Sequence, residues 1–430
     1  MLTLEANHQI FRFRNTSRET VMLSHEEQTV MVIGYNARPI VRLAKQLGLK
    51  VIAIDYWGDM DIVPYADALL TVLHSTPHTR LEHPSHRPLS ELLYDLAEKA
   101  FHQHNDIDFI LLGSGLDDRP DLWSRLNRLA PVLGCPPETL KTVRNPEKLF
   151  SVAGKIRVSY PKTERAKEAE ECVEVAEKIG FPVLLKPLRS SGGFRLRLAR
   201  SPAEAKRHFK TVSGRHGEVF VQEHIEGIDA SSSVLGNGKD CVVVSVNEQL
   251  LGIKRLGANT PFGYCGNIVP LKANEKTVNR IKDVSYALGK KLNLIGSNGF
   301  DFVIGKNDEI YLMEVNPRFQ ATLECIQYVT GLNLVSEHIR ACHGELPEKI
   351  PKPKGYAVKM IVFAKHLSKI PDLSKLKNVF DITHPSTIVD RGEPICTVQI
   401  HEIAREKAIR KAWKSAQIIY KLISKNHARR

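Results

Sequence analysis

The stretch TVMVIGYNARPIVRLAKQLGLKVIAID, from Thr29 to Asp55, changes its hydrophobic period twice. An unbroken apolar run ends at Gly34, apolar positions then recur at helical spacing through Leu47, and a second unbroken run ends at Asp55. This predicts a strand, a glycine turn, an amphipathic helix and a strand, a βαβ unit of the mononucleotide-binding kind. The segment FILLGSGLDD (109–118) adds a later buried strand with a Gly/Asp-rich end. Strands apolar on both faces belong to parallel sheets covered by helices, so residues 28–135 are expected to form a parallel α/β domain behind an N-terminal extension, 1–27.

From about Pro136 the pattern changes. Short strand-like runs (FPVLLKP, EVFVQEHI, CVVVSVN, GFDFVIG, EIYLMEVN) alternate with helical segments up to about residue 350, an α+β arrangement. Beyond it, GYAVKMIVFA and PICTVQI suggest a small β-rich C-terminal domain, 351–430, capped by a basic helix. The sequence shows no internal repeat and no low-complexity tract.

A chain of 430 residues, 42% hydrophobic, can bury a large core in about two to four domains. It has no apolar run of membrane-spanning length, and its first residues (MLTLEANHQIFRFRNTSRET) lack the apolar core of a secretory signal, so a cytoplasmic location with no membrane partner is expected. Seven scattered cysteines without a CxxC fit a reducing compartment and read as small buried hydrophobes. The net charge of +13 raises nucleic acid as a partner, and the last thirty residues hold nine Lys/Arg against Glu402 and Glu406. Those residues also carry apolar positions at helical spacing and no groove-reading motif, so an amphipathic closing helix is the better reading and nucleic acid is disfavoured. The loop HSTPHTRLEHPSHRP holds His74, His78, His83 and His86, whose spacing fits no standard metal site.

Three stretches carry chemistry. In GFDFVIGKNDEIYLMEVNPR (299–318), two strands joined by a polar turn place Asp301 on one and Glu314 and Asn316 on the other. Glu314 and Asn316 are two apart and share a face, so three hard oxygen donors can meet across a hairpin. Mg²⁺ takes such donors together with nucleotide phosphates. Arg318, two residues on, can meet phosphoryl oxygens or a carboxylate. In FPVLLKPLRSSGGFRLRLA, Lys186 ends a strand beside a glycine-containing turn at Ser191, Gly192 and Gly193, a combination that can neutralise and wrap phosphates, although a plain hairpin reads the same way. In VFVQEHIEGIDASSSVL, the strand edge around Gln222, Glu223 and Ile225 could bond an adenine through its backbone, and Asp229 could accept from ribose hydroxyls.

The order of these motifs, with Lys148 ahead of them, resembles the ATP-grasp superfamily over roughly residues 30–400, most specifically in EVNPR and the helix after it. RFQATLECIQYVTGLNLVSEHIRACHG is similar to the matching stretch of biotin carboxylases, and the opening GYNARPIVRLAKQLGLKVIAIDYWGDMD to predicted ATP-dependent carboligases. The resemblance implies an ATP-grasp domain over 136–350, with a nucleotide lobe at about 145–225 and a metal and catalytic lobe at about 226–350. It implies Lys148 and Lys186 on the phosphates, Gln222, Glu223 and Ile225 at the adenine, and Asp229 on the ribose. Asp301, Glu314 and Asn316 would fall on Mg²⁺ (or Mn²⁺), and Arg318 by an acyl phosphate. The chain departs from biotin carboxylases where they carry a basic glutamate: it reads Gln320-Ala321-Thr322, and Thr322 cannot take a proton as a carboxylate does.

The expected function is therefore an ADP-forming, Mg-ATP-dependent ligase joining a small-molecule carboxylate to an amine (or thiol). Arg318, with Lys254, Arg255 or Asn267, would steady the tetrahedral oxyanion, and Arg38, at the carboxyl end of the first strand, and Gln320 would hold substrate. The rivals are a carboxylating or formyl-transferring relative and a nucleotide-binding protein without ligase activity. A homodimer is compatible with any of them.

Overall fold

The computed structural model describes residues 28–84, 87–188, 192–193, 195–214 and 217–427, without the side chains of 425–427. The expected extension 1–27, His86 and Ser191 lie outside the described residues.

The first sheet is built from β1 (Thr29–Gly34), β2 (Lys50–Asp55), β3 (Ala68–Thr71) and β4 (Phe109–Leu112), in the order β3-β2-β1-β4 and parallel throughout. Helices α1 (Arg38–Lys45), α2 (Leu89–Gln103) and α3 (Pro120–Leu129) accompany it. All six residues of β1 are buried, as a parallel strand covered on both faces requires. Asp55, at the end of β2, accepts from the backbone N–H groups of Ala37 and Gly58, both at 2.7 Å, which fixes the entry to α1. Two short helices, α4 (Pro137–Val143) and α5 (Pro146–Lys155), lead away from this sheet. Asn145 caps α5 by accepting from the Lys148 N–H, with Pro146 in the first turn.

The second sheet is antiparallel, order β5-β8-β6-β7: β5 (Thr163–Ala166), β6 (Val183–Pro187), β7 (Arg197–Ala199) and β8 (Val219–Glu223), with α6 (Ala169–Ile179) and α7 (Pro202–Ser213) on one face. It has a core of its own, including Cys172, Ala176, Val183, Leu185, Val219 and Val221. A separate core makes this segment a lobe rather than an extension of its neighbours.

The third sheet has eight strands in the order β13-β12-β9-β10-β11-β14-β18-β16. Its members are β9 (Ile228–Asn237), β10 (Cys241–Leu251), β11 (Tyr264–Val269), β12 (Ile295–Ile304), β13 (Ile310–Asn316), β14 (Tyr356–Phe363), β16 (Val379–Phe380) and β18 (Pro394–Glu402). Strands β15 (Ser368–Lys369) and β17 (Ile388–Val389) pair separately. Helices α8 (Glu275–Lys291), α9 (Leu323–Thr330), α10 (Leu334–Cys342) and α11 (Arg405–His427) complete the described chain. The expected C-terminal strands are present: β14 docks on β11, pairing Lys359 with Asn267, and β18 docks on β14, so these strands continue the large sheet. An unpaired β11 would have left a row of backbone donors and acceptors without partners, and β14 supplies them. Helix α11 buries Ala408, Ala412, Ala416, Ile419 and Ile423 along one stripe and turns Lys407, Lys411, Lys414 and Lys421 outward.

Candidate nucleotide and metal site

A cleft lies between the second sheet and the end of the third, lined among others by Asp118, Arg144, Lys186, Phe220, Met313 and Glu314. Its floor is the β12–β13 hairpin. The turn at Lys306–Asp308 places Asn307 and Asp308 at φ +58° and +59°, a conformation these two residue types tolerate. That turn sets the register: Asp301 stands directly opposite Glu314, Gly299 opposite Asn316, and a bulge follows Asp301.

The three oxygen-bearing side chains are thus gathered at one end of the hairpin. Asn316 is 3% exposed and donates from Nδ2 to Asp301 Oδ2 at 2.9 Å. Asp301 also accepts from Gln249 Nε2 at 2.7 Å. Burial, then the neighbouring Glu314 charge, pushes the Asp301 pKa up to about 7, against the pull of Arg318, Gln249 and Arg144. Glu314 is also pushed up by burial, but Arg144 and Lys186 outweigh this and hold it below the usual glutamate range. Its side chain is 39% exposed to the cleft. Two carboxylates side by side, one kept acidic by cations and the other short of positive charge, form a site that a divalent cation would complete. The donors are all hard oxygens, so the residues fit Mg²⁺ or Mn²⁺ together with nucleotide phosphates. Among the described residues no three His, Cys, Asp or Glu side chains are grouped for a metal, so the set is two carboxylates and an amide.

Lys186, on β6, faces Glu314 across the cleft, and its Nζ lies 3.5 Å from Gln222 Oε1. Burial, then Arg144, lowers its pKa, with Glu314 and Asp301 opposing. Gln222 is fully buried and donates to Thr163 Oγ1 at 2.9 Å. Glu223 ends β8, its N–H bonded to the Lys162 carbonyl at 2.8 Å and its carboxylate to the Lys162 N–H at 3.1 Å. Ile225 is half-buried just beyond, and burial lifts Asp229, on β9, to about 6. Lys148 is exposed on α5. Gly192 and Gly193 adopt φ +61° and +75°. A Cβ on Gly193 would stand 1.8 Å from the Phe262 carbonyl oxygen, so only glycine permits the loop to lie against residues 262–264.

Arg318 is pinned beside the hairpin: Nε donates to Asp117 at 2.9 Å and Nη1 to the Phe319 carbonyl at 3.0 Å. Asn267 is buried, accepts from the Tyr264 hydroxyl and pairs across strands with Gln249, one step from Asp301. Gln320 folds back, donating to the Asn316 carbonyl at 3.0 Å, and lies over Gly299.

Two expected site residues are placed elsewhere. Arg255 stacks on Trp413 of α11, 4.6 Å from the ring centroid, because the short 3₁₀ turn at Lys254–Leu256 presents it to that helix; Lys254 beside it is exposed. Arg38, expected to hold substrate, is 1% exposed. Its Nε meets Asp381 at 2.6 Å, and Nη1 and Nη2 meet the two oxygens of Glu324 at 2.9 and 2.6 Å. A guanidinium so enclosed ties α1 to α9 and to the C-terminal strands and turns no edge to a ligand. The histidine loop is likewise tied down, with His83 bonded to Tyr56 at 2.8 Å and to Glu393.

The sequence reading passed over Arg144. It stands between α4 and α5, with Nε on Asp118 at 2.7 Å and Nη1 on Asn316 Oδ1 at 2.9 Å and Glu314 Oε1 at 3.5 Å. The helix-cap signal Asn145-Pro146 beside it marks a chain reversal into the cleft, and with GLDD ending a strand it was the available cue.

Residues 147–322 match the family model described as the ATP-grasp domain. Along its length the chain is 25% identical, over 369 residues, to an uncharacterized protein of Methanocaldococcus jannaschii, covering 86% of this chain and 87% of that one. Its structure resembles the biotin carboxylase domain of Hydrogenobacter thermophilus 2-oxoglutarate carboxylase, solved with MgADP, ADP and bicarbonate (TM-score 0.70, 18% identity, 89% and 88% of the two chains). It also resembles an ADP complex of N5-carboxyaminoimidazole ribonucleotide synthetase (TM-score 0.68, 17% identity, 92% and 98%). At these identities the likeness is one of fold.

Proposed function

We propose that the protein is an ATP- and Mg²⁺-dependent, ADP-forming ligase that activates a small-molecule carboxylate and joins it to an amine or thiol. The observation that carries this reading is the opposition of Asp301 and Glu314, with Asn316 beside them, across a cleft from Lys186. A module that only bound nucleotide would need the lysine but not the second, charge-deficient carboxylate. The relatives solved with MgADP or ADP support the choice of nucleotide and metal.

When bound, the divalent cation would supply charge neutralisation at the terminal phosphates, held by Asp301, Glu314 and Asn316. Lys186, with Lys148 and the backbone of Gly192 and Gly193, would hold the phosphates, while the edge at Gln222, Glu223 and Ile225 would take the base and Asp229 the ribose. A substrate carboxylate placed near Arg318 then attacks the γ-phosphorus, and the chain contributes mainly position and fixed charge. The resulting acyl phosphate has phosphate as its leaving group, and an amine displaces it. Arg318, held by Asp117, and Asn267, held by Tyr264, would steady the oxyanion. Thr322 bonds Ser233 at 3.1 Å and offers no carboxylate base, which counts against a biotin-carboxylating reaction. Lys254 keeps only a candidate role.

The test is a screen of paired acids and amines for ADP release. Release that requires both partners supports the ligase; release driven by bicarbonate alone would transfer the assignment to a carboxylating enzyme.

A further inference from the structure

Arg144 occupies the place the preceding reading gives to a metal ion. Its Nη1 lies 2.9 Å from Asn316 Oδ1, 3.5 Å from Glu314 Oε1 and 3.5 Å from the Val315 carbonyl, so one cationic group meets three oxygens at the end of the hairpin. Its Nε is anchored separately on Asp118 at 2.7 Å, and the side chain is 12% exposed. A guanidinium is permanently charged and planar, and it binds carboxylates and phosphates with the same fork of donors. A divalent cation ligated by Glu314 and Asn316 would need the same oxygens, in the same low-dielectric corner, and would repel the guanidinium.

We propose that Arg144 is a placeholder for the metal. In the nucleotide-free protein its guanidinium supplies a counter-charge to Glu314 and a hydrogen-bond donor to the Asn316 amide oxygen. When nucleotide enters, it swings about its Asp118 anchor, releases both oxygens and turns to the phosphates on the Lys186 side. The inference rests on the metal and nucleotide reading above and adds a residue and an order of events: the hairpin opens to the cation only once phosphates are present to receive Arg144. Position supports it, since Arg144 lies in the short connection between α4 and α5 and lines the cleft together with Lys186 and Glu314. Glu314 contributes as well, because it is the exposed member of the set and reaches Arg144 only at 3.5 Å, a contact already loose enough to exchange.

The experiment is a Mn²⁺ titration of the full chain followed by electron paramagnetic resonance, with and without saturating ADP, for the natural protein and for Arg144→Met and Arg144→Lys. In the natural protein Mn²⁺ alone should bind weakly, and ADP should strengthen it greatly. In Arg144→Met, Mn²⁺ alone should bind at least about tenfold more tightly, and the strengthening by ADP should shrink by a similar factor, since affinity coupling between two ligands is reciprocal. Arg144→Lys keeps the charge without the fork and should fall between the two; circular dichroism melts confirm that each variant is folded. Unchanged or weaker Mn²⁺ binding in a folded Arg144→Met would overturn the placeholder while leaving the nucleotide site standing. Failure of the natural protein to bind Mn²⁺ even with ADP would remove the underlying reading and this inference together.

Discussion

Two clusters in this molecule are made of the same parts, and they differ in how completely those parts are used. In the cluster around Arg38, Glu324 receives Arg38 on both oxygens, Arg42 on one at 2.7 Å and Gln399 on the other at 2.7 Å, while Asp381 takes the Arg38 Nε. Arg38 and Glu324 are 1% and 2% exposed. In the cleft, Glu314 meets Arg144 only at 3.5 Å and is 39% exposed, and Asp301 is left with its pKa near 7. A charge cluster whose ions are paired and shut away from solvent is architecture; one whose carboxylate is loosely paired and open to solvent is prepared for a ligand.

The largest expected effect breaks the first cluster. Removing one partner of a buried ion pair leaves the other charge uncompensated, so Glu324→Ala should destabilise the fold by about 3–5 kcal/mol in chemical denaturation. A loss under about 1 kcal/mol would mean that Arg38 has other partners and that the cluster is not what joins α1 to the C-terminal strands.

A buried neutral group sharpens the contrast. His338 is 3% exposed, accepts from the Ser297 N–H at Nδ1 (2.8 Å) and donates from Nε2 to the Leu133 carbonyl (3.1 Å), bonds that only the neutral ring can make together. Burial lowers its pKa to about 4. A histidine depressed in the fold contributes stability that is complete above its unfolded pKa of about 6.5 and is lost as pH falls toward 4, about 3 kcal/mol in all. Melting temperature measured from pH 7 to 4 should therefore decline less steeply in His338→Gln than in the natural protein. Parallel curves would show that the acid limb belongs to other groups.

The second cluster is broken by Glu314→Gln, which keeps the shape and removes the charge. MgADP binding measured by calorimetry should weaken by about a hundredfold, roughly 2.7 kcal/mol, with the melting temperature lowered only slightly, because the half-exposed Glu314 is paired loosely with Arg144 and serves mainly the ligand. A large drop in melting temperature without a loss of binding would reverse the roles of the two clusters.

What the sequence revealed followed periodicity. The βαβ opening and the hairpin 299–318 were legible because burial on both faces, and alternation about a polar turn, leave marks in consecutive residues, and period two alone put Glu314 and Asn316 on one face. The partners of those residues were not legible, since Gln249, Asp117 and Arg144 reach the hairpin from 52, 201 and 172 positions away in the hydrogen bonds they form. Arg38 failed for a related reason: a strand's carboxyl end is where open sheets place ligands, but the residues that enclose it, Glu324 and Asp381, come from 286 and 343 positions along the chain. The merging of β14 and β18 into the large sheet was likewise hidden, because pairing with β11 leaves no pattern within β14 itself.

The smallest expected effect concerns Arg255, which sequence order assigned to the chemistry and the structure assigns to α11. A guanidinium over an indole contributes roughly 1 kcal/mol where it is partly exposed. Arg255→Ala should therefore lower stability by about that much, through a looser seat for Trp413, and leave MgADP affinity and ADP release within about a factor of two. The matching change Asn267→Ala, on β11 and paired with Gln249 of β10, should slow ADP release without altering MgADP affinity. If the two variants exchanged their phenotypes, proximity to the hairpin would no longer separate chemistry from architecture, and the segment 253–267 would have to close over the cleft in the working enzyme.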